Sequence, residues 1–186
     1  MPSPPTGTVT FLFTDIEGST KLWEQNAQAM QIALARHDEV LRSAIEERGG
    51  YIFKTVGDAF CAAFSTAIAP LEASLFAQRV LLSQEGWSEE TGPLRVRMAL
   101  HVGGAEERDR DYFGPPLNRV ARLLSAAHGG QVLLSAAAQE MVRDQLPSFL
   151  WGRASGTSAS IASRISSGQR GSFSSQLLIC PWSSRP

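Results

Sequence analysis

Thr8-Val-Thr-Phe-Leu-Phe-Thr-Asp15-Ile-Glu-Gly-Ser-Thr20 combines a strand pattern, a carboxylate and a helix start. Residues Thr8 to Thr14 alternate β-branched and aromatic side chains, which predicts a strand. Gly18-Ser-Thr20 offers an N-cap, so a short helix should begin there. The sequence therefore places Asp15 where a strand ends beside a glycine turn.

A second carboxylate stands in the same setting, in Tyr51-Ile-Phe-Lys-Thr-Val-Gly-Asp58-Ala-Phe60. Tyr51 to Lys54 and Ala59 to Phe64 are typical of two strands joined by a tight turn. Carboxylates at strand ends beside glycine turns suit a two-metal phosphoryl-transfer site, because hard divalent cations prefer oxygen ligands and two of them about 4 Å apart can clamp an in-line displacement. The alternative is that Asp15 only caps a helix and Asp58 only shapes a turn.

The remaining pattern alternates helices and strands. Apolar periodicity, Pro at helix starts and Gly at helix ends fix the other elements. The order βααββαβαβα predicts an α/β sandwich of ferredoxin-like kind, with helices packed on an antiparallel-rich sheet. The predicted helices are Met30 to Arg48, Ala67 to Ser83, Leu117 to Ala127 and Ala136 to Gln145; the predicted strands are Leu94 to Val102 and Gln131 to Leu134, with a loop or short hairpin over Gly103 to Tyr112.

Composition favours a soluble globular protein. The chain has 186 residues, 43% of them hydrophobic and 19% charged, with a net charge of −1. This balance gives no reason to expect nucleic acid as the main partner. No leader pattern or long apolar run indicates a membrane, and two cysteines make no disulfide framework, so we expect a cytoplasmic protein. Residues 1–7 are expected to be disordered.

The composition changes abruptly at Pro147. Residues 148–186 contain 12 serines, four arginines and no Asp or Glu, a net charge of +4 against −5 for the preceding residues. Two interpretations stay open: a disordered, regulatory tail, or a stretch translated in a shifted reading frame. Either one deprives the domain, expected over residues 8–147, of its closing strands.

Three motifs together resemble the class III nucleotidyl cyclases, which convert ATP to cyclic AMP or GTP to cyclic GMP. The first is Phe13 to Thr20, the second Lys54-Thr-Val-Gly-Asp58, and the third Asp111-Tyr-Phe-Gly-Pro-Pro-Leu-Asn118-Arg-Val-Ala-Arg122. In the third, Asp, Asn and Arg follow each other at the family's spacing of seven and then four. The resemblance covers about Thr8 to Leu146 and implies an adenylyl cyclase domain of ferredoxin-like fold.

The resemblance also implies roles for the acidic end of the first strand. Asp15, Ile16 and Asp58 would bind two divalent cations, Mg²⁺ or Mn²⁺. Main-chain amides at a glycine-bearing helix start can receive the β- and γ-phosphates of ATP, although an ordinary capped helix would look the same in the sequence. The residues concerned are Ile16, Glu17, Gly18, Ser19 and Thr20.

Four further residues are implied to hold the nucleotide. Lys54 resembles the residue that donates to adenine, and Asp111 resembles its partner on the purine amino edge, a pair that suits ATP better than GTP. Asn118 and Arg122 are four apart and share a helix face. By resemblance, Asn118 orients the ribose and Arg122 stabilises charge that builds up in the transition state. Each of these residues could instead be an ordinary solvated side chain.

The family splits this set between two subunits, which implies a homodimer with sites at the interface. One departure concerns a lysine that family members usually carry near the C-terminal strands to grip the triphosphate. No lysine follows Pro147 here. The alternative function is therefore a weak or inactive cyclase-like domain that binds nucleotide and dimerises within a signalling regulator.

Overall fold

The computed structural model describes residues 3–83, 85–145, 160–164 and 176–180, the last two ranges as backbone only. The strands are Thr8–Ile16 (β1), Tyr51–Val56 (β2), Ala59–Phe64 (β3), Val96–Gly104 (β4), Glu106–Arg108 (β5), Asp111–Phe113 (β6), Val132–Leu134 (β7), Ser160–Arg164 (β8) and Gln176–Cys180 (β9). The helices are Ser19–Gln25 (α1), Ala27–Glu46 (α2), Ile68–Leu81 (α3), Pro115–Ser125 (α4) and Ala136–Val142 (α5), and a 3₁₀ turn follows over Arg143–Gln145.

The main sheet has the order β2-β3-β1-β4-β7-β9-β8. Strand β1 lies between β3 and β4 and is antiparallel to both. Strand β7 is parallel to β4. The order β2-β3-β1-β4 is that of a ferredoxin-like βαββαβ unit, so the predicted fold class is confirmed.

The two faces of the sheet bury different cores. Leu12 and Ile16 of β1 belong to the core under α2, α3 and α5. Val9 and Phe11 point the other way, into the core under α4 and the β5–β6 hairpin. Because side chains alternate along a strand, Asp15 lies on the same face as Phe11, the α4 face.

Strands β5 and β6 form a hairpin where the sequence predicts a loop or a short hairpin. Asp109 and Arg110 form its turn with φ angles of 54° and 67°. Two successive residues at positive φ fit the right-handed twist of the flanking strands. The hairpin sets Asp111 at the start of β6, beside the edge strand β2.

Two expectations about the chain ends need correction. The N-terminus is not disordered at Pro5, which is buried and whose carbonyl accepts a hydrogen bond of 2.6 Å from the Tyr112 hydroxyl. The sheet does gain closing strands after Pro147: β9 pairs with β7 and β8 with β9, both antiparallel. Strand pairing uses main-chain groups, so the edge of β7 can be covered despite the unusual composition. The other residues of the 148–186 segment, for which the sequence predicts a disordered or frame-shifted tail, lie outside the described residues.

Within the part of the chain that the structure describes, no helix combines the length and apolarity that crossing a bilayer would require.

Candidate active site

The structure places Asp58 beside the residue that follows Asp15. Asp15 is the penultimate residue of β1, and Asp58 lies in the tight turn between β2 and β3. Pairing of β1 with β3 aligns Thr14 with Phe60, which carries the turn to the end of β1. The main-chain N–H of Ile16 then donates to Asp58 Oδ2 at 3.1 Å.

The turn that presents Asp58 depends on Gly57. Its φ of 60° is left-handed, and an added Cβ would meet no atom within 4 Å. The requirement for glycine is therefore conformational rather than steric, since L-residues with a side chain are disfavoured in this region.

Asp15 also has a partner that sequence reasoning missed. Arg97 stands directly opposite Asp15 in the β1–β4 pairing. Its Nε and Nη2 donate to Asp15 Oδ2 at 2.8 Å and 2.5 Å. The alternating pattern Leu94-Arg-Val-Arg97 contained the signal, because a charged residue within a strand beside a strand-end carboxylate invites pairing across the sheet.

The oxygen ligands at the end of β1 and in the β2–β3 turn fit a hard divalent cation. Asp15 and Asp58 offer carboxylate oxygens, and Ile16 between them can offer only its main-chain carbonyl. No third acidic, histidine or cysteine side chain joins them among the described residues. Few protein oxygens, completed by substrate phosphates and water, are the arrangement that Mg²⁺ accepts in nucleotide sites.

The amides predicted to bind phosphate divide into two groups. Ile16 N–H is committed to Asp58, and Glu17 N–H donates to the Arg95 carbonyl at 2.8 Å. Gly18, Ser19 and Thr20 have no such acceptor in the described part of the chain. The structure therefore narrows the prediction to these last three amides, at the start of α1.

Lys54 and Asp111 form an ion pair on the α4 face of the main sheet, the face that also carries Asp15. Lys54 Nζ lies 2.9 Å from Asp111 Oδ2, and Tyr112 N–H donates to Asp111 Oδ1 at 2.8 Å. Partial burial alone would raise the pKa of Asp111, but the hydrogen bonds from Lys54 and Tyr112 and the charge of Lys54 outweigh it and lower the pKa. The hydrogen bond to Asp111 and its charge raise the pKa of Lys54.

Aromatic side chains and one cysteine lie beside the Lys54–Asp111 pair. Cys61 stands opposite both Lys54 on β2 and Phe13 on β1. Phe53 contacts Phe13 and Tyr112, with ring centroids 6.2 and 5.0 Å apart. Burial raises the pKa of the Cys61 thiol to about 11, so it is a protonated, apolar neighbour of the site.

Asn118 and Arg122 lie on the exposed side of α4, one turn apart. No hydrogen bond or ion pair between described residues joins either of them to Asp15 or Asp58. The single chain thus assembles the two carboxylates and the Lys54–Asp111 pair, but leaves the α4 residues facing outward.

Comparison with known proteins identifies the family. A family model described as the adenylate and guanylate cyclase catalytic domain matches residues 1–150. The chain belongs to the class III nucleotidyl cyclases. The match ends close to the change of composition at Pro147.

Relatives of known sequence include proteins with and without an assigned activity. An uncharacterized protein of Mycobacterium tuberculosis is 42% identical over 150 residues, which cover 80% of this chain and 50% of that protein. The adenylate cyclase of Neurospora crassa is 37% identical over 157 residues, covering 72% of this chain and 7% of that protein. This cyclase chain spans about half the length of the mycobacterial relatives it matches.

Solved structures confirm the cyclase fold. An adenylate cyclase of Trypanosoma brucei in its monomeric state superposes with a TM-score of 0.78 at 26% identity, over 100% of this chain and 93% of that chain. A non-canonical dimeric guanylyl cyclase domain of the fungus Blastocladiella emersonii gives a TM-score of 0.70 at 14% identity, over 97% of this chain and 98% of that chain. The second likeness shows the fold alone.

Proposed function

We propose that this cyclase domain is an adenylyl cyclase, which converts ATP to 3′,5′-cyclic AMP and pyrophosphate. The observation that carries the proposal is the Lys54–Asp111 pair, 2.9 Å apart on the face that also holds Asp15. An ammonium donor and a carboxylate acceptor suit N1 and the 6-amino group of adenine. Guanine presents O6 and N1–H at these positions and would leave polar groups unpaired, which discriminates strongly.

The rest of the set supports an in-line displacement at the α-phosphate. Asp15, Asp58 and the Ile16 carbonyl would hold two divalent cations, Mg²⁺ or Mn²⁺, which when bound supply charge neutralisation and a lower pKa for the attacking 3′-hydroxyl. The amides of Gly18, Ser19 and Thr20 orient the β- and γ-phosphates. Asn118 positions the ribose, and Arg122 stabilises negative charge that grows only in the transition state.

A homodimer is part of the proposal. Within one chain, Arg122 points outward from α4 and is not joined to Asp15, so a second copy would supply Arg122 and the adenine-binding pair to the carboxylates of the first. Two equivalent sites would then lie across a two-fold interface. ATP as substrate and a content of only two cysteines support a cytoplasmic location for the proposed enzyme.

A second candidate is a cyclase-like domain that binds nucleotide and dimerises without turnover. The absence of any lysine after Pro147 favours it, because the family's triphosphate-binding lysine then has no counterpart. The two candidates differ in product formation and agree in nucleotide binding.

The test is product formation from ATP and from GTP with Mn²⁺, on this chain and on a chain whose tail is replaced by a family-like ending. We expect cyclic AMP from ATP and little cyclic GMP. No cyclic product from either chain, with ATP binding retained, would establish the second candidate instead.

A further inference from the structure

The ion pair between Arg97 and Asp15 has no part in the function proposed above. Both donors of Arg97 go to one oxygen, Asp15 Oδ2, at 2.8 and 2.5 Å. The side chains of Arg97 and Asp15 are 32% and 24% exposed, so the pair is largely shielded from solvent. Asp15 Oδ1 accepts no hydrogen bond from a described residue.

The pair is built into the sheet rather than formed by chance between long side chains. Asp15 and Arg97 face each other in the antiparallel register of β1 and β4, which brings opposite Cβ atoms to about 5 Å. Arg97 makes no other ion pair among the described residues.

Asp58 is held differently from Asp15. Its Oδ2 accepts from the neutral Ile16 amide at 3.1 Å, and no described cation pairs with it. A divalent cation that reaches both carboxylates therefore meets a free anion at Asp58 and an already neutralised anion at Asp15. It must share Asp15 with a fixed positive charge or displace that charge.

We propose that Arg97 is an internal counter-ion that competes with the divalent cation for Asp15 and thereby weakens metal binding in the absence of nucleotide. Arg97 is a positioning residue in this sense: it acts on the metal through Asp15. The inference rests on the proposed function only in taking Asp15 and Asp58 as the metal ligands.

The test measures Mn²⁺ binding to nucleotide-free protein, by the electron paramagnetic resonance signal of free Mn²⁺. Arg97→Met removes the charged hydrogen bonds that compete with the metal for Asp15. We therefore expect it to lower the Kd for Mn²⁺ by about tenfold. Arg97→Lys keeps the positive charge with fewer donors, and its Kd for Mn²⁺ should lie between those of the parent and of Arg97→Met. Arg79→Met, an equal charge change on the exposed side of α3 across the sheet, should stay within about twofold of the parent.

A double-mutant cycle separates this action from a general charge effect. In an Asp15→Asn background, Arg97→Met should change the Kd by less than about twofold, because the shared carboxylate is gone. Unchanged or weaker Mn²⁺ binding in Arg97→Met would overturn the inference. Should Arg97→Met fail to fold, as judged by circular dichroism, Arg97→Lys still decides the matter: a Kd equal to or above that of the parent overturns it.

The outcome is independent of product formation. Tighter Mn²⁺ binding in Arg97→Met with no cyclic product from any chain would keep the counter-ion and reject the proposed enzyme. Cyclic AMP formation with identical Mn²⁺ affinities would keep the enzyme and reject the counter-ion.

Discussion

The ion pair between Lys54 and Asp111 is expected to contribute little to folding stability and much to substrate use. The Lys54 side chain is 51% exposed, and such a pair contributes at most about 1 kcal/mol to folding. The same two groups would be buried by a bound purine, where an unpaired donor or acceptor is costly. The pair should therefore matter far more for substrate use than for folding.

Asp111→Asn is expected to lower kcat/KM for ATP by about 100-fold. Its melting temperature should fall by no more than about 3 °C, in line with the small worth of an exposed pair. Steady-state kinetics and thermal denaturation check the two halves of this prediction. Glu46→Gln is the matched control, because it removes another exposed ion pair, with Arg42 on α2, and should alter neither quantity. Full activity in Asp111→Asn would contradict the assignment.

The pH dependence of this pair follows from the directions of its two pKa shifts. Because the pKa of Asp111 is lowered by folding, the stabilisation is present above the unfolded pKa and is lost as pH falls through the lowered value. Because the pKa of Lys54 is raised, its stabilisation is present below the unfolded pKa and is lost as pH rises through the raised value. The pair should thus stay intact from about pH 5 to 9, given ordinary pKa values near 4 and 10.

The N-cap residue of helix α5, Ser135, also contacts a buried side chain of the core. Ser135 Oγ accepts from the Ala138 N–H at 3.3 Å and lies 2.9 Å from Nδ1 of the buried His101. His101 Nε2 is buried with no partner among the described residues. Asn26 caps α2 at an exposed site by accepting from the Ala29 N–H at 3.0 Å, with no buried neighbour that depends on it.

Ser135→Ala is expected to cost about 2–3 kcal/mol of unfolding free energy, the sum of a lost cap and a buried imidazole left unpaired. Asn26→Ala, which loses only a cap, should cost about 1 kcal/mol. Denaturant titrations of both variants measure the difference. Equal losses would show that the bond between Ser135 and His101 contributes nothing.

Sequence patterns predicted most elements because their signals are local. Strand β3, over Ala59–Phe64, has its predicted bounds, and helix α3, over Ile68–Leu81, lies within the predicted range of Ala67 to Ser83. Helix α2 begins at Ala27 rather than Met30 because Asn26 caps it, a signal that the apolar period does not contain. Strands β8 and β9 escaped prediction because their own composition does not indicate strands: β9 pairs with the edge of β7, and β8 pairs with β9.

In the candidate site, too, local motifs predicted some residues, and contacts between distant parts of the chain escaped prediction. Asp15, Asp58, Lys54 and Asp111 were predicted from motifs. In the structure Lys54 pairs with Asp111, and Asp58 accepts from the main-chain N–H of Ile16, the residue after Asp15. Arg97 was not, because its partner Asp15 is 82 residues away and only the register of β1 with β4 joins them. The commitment of the Ile16 and Glu17 amides likewise depends on neighbouring strands and turns. Motifs identify candidate site residues, whereas the hydrogen bonds and ion pairs that those residues make depend on the tertiary structure.

At the scale of the whole molecule, the proposed function requires two chains. Its carboxylates and its outward-facing α4 residues would meet only across a two-fold axis with a second copy. The central claim of a shared site therefore concerns an assembly of two chains.

Mixing an Asp15→Ala chain with an Arg122→Ala chain tests that claim most directly, with cyclic AMP formation from ATP and Mn²⁺ as the readout. Each variant alone should be nearly inactive, and the mixture should recover about a quarter of the parent activity, since half of the dimers are hybrids with one complete site of two. A mixture of Asp15→Ala with Asp58→Ala chains is the control and should recover nothing, because both changes fall on the same half of the site. No recovery in the first mixture, with hybrid dimers shown to form, would contradict a site shared between two copies.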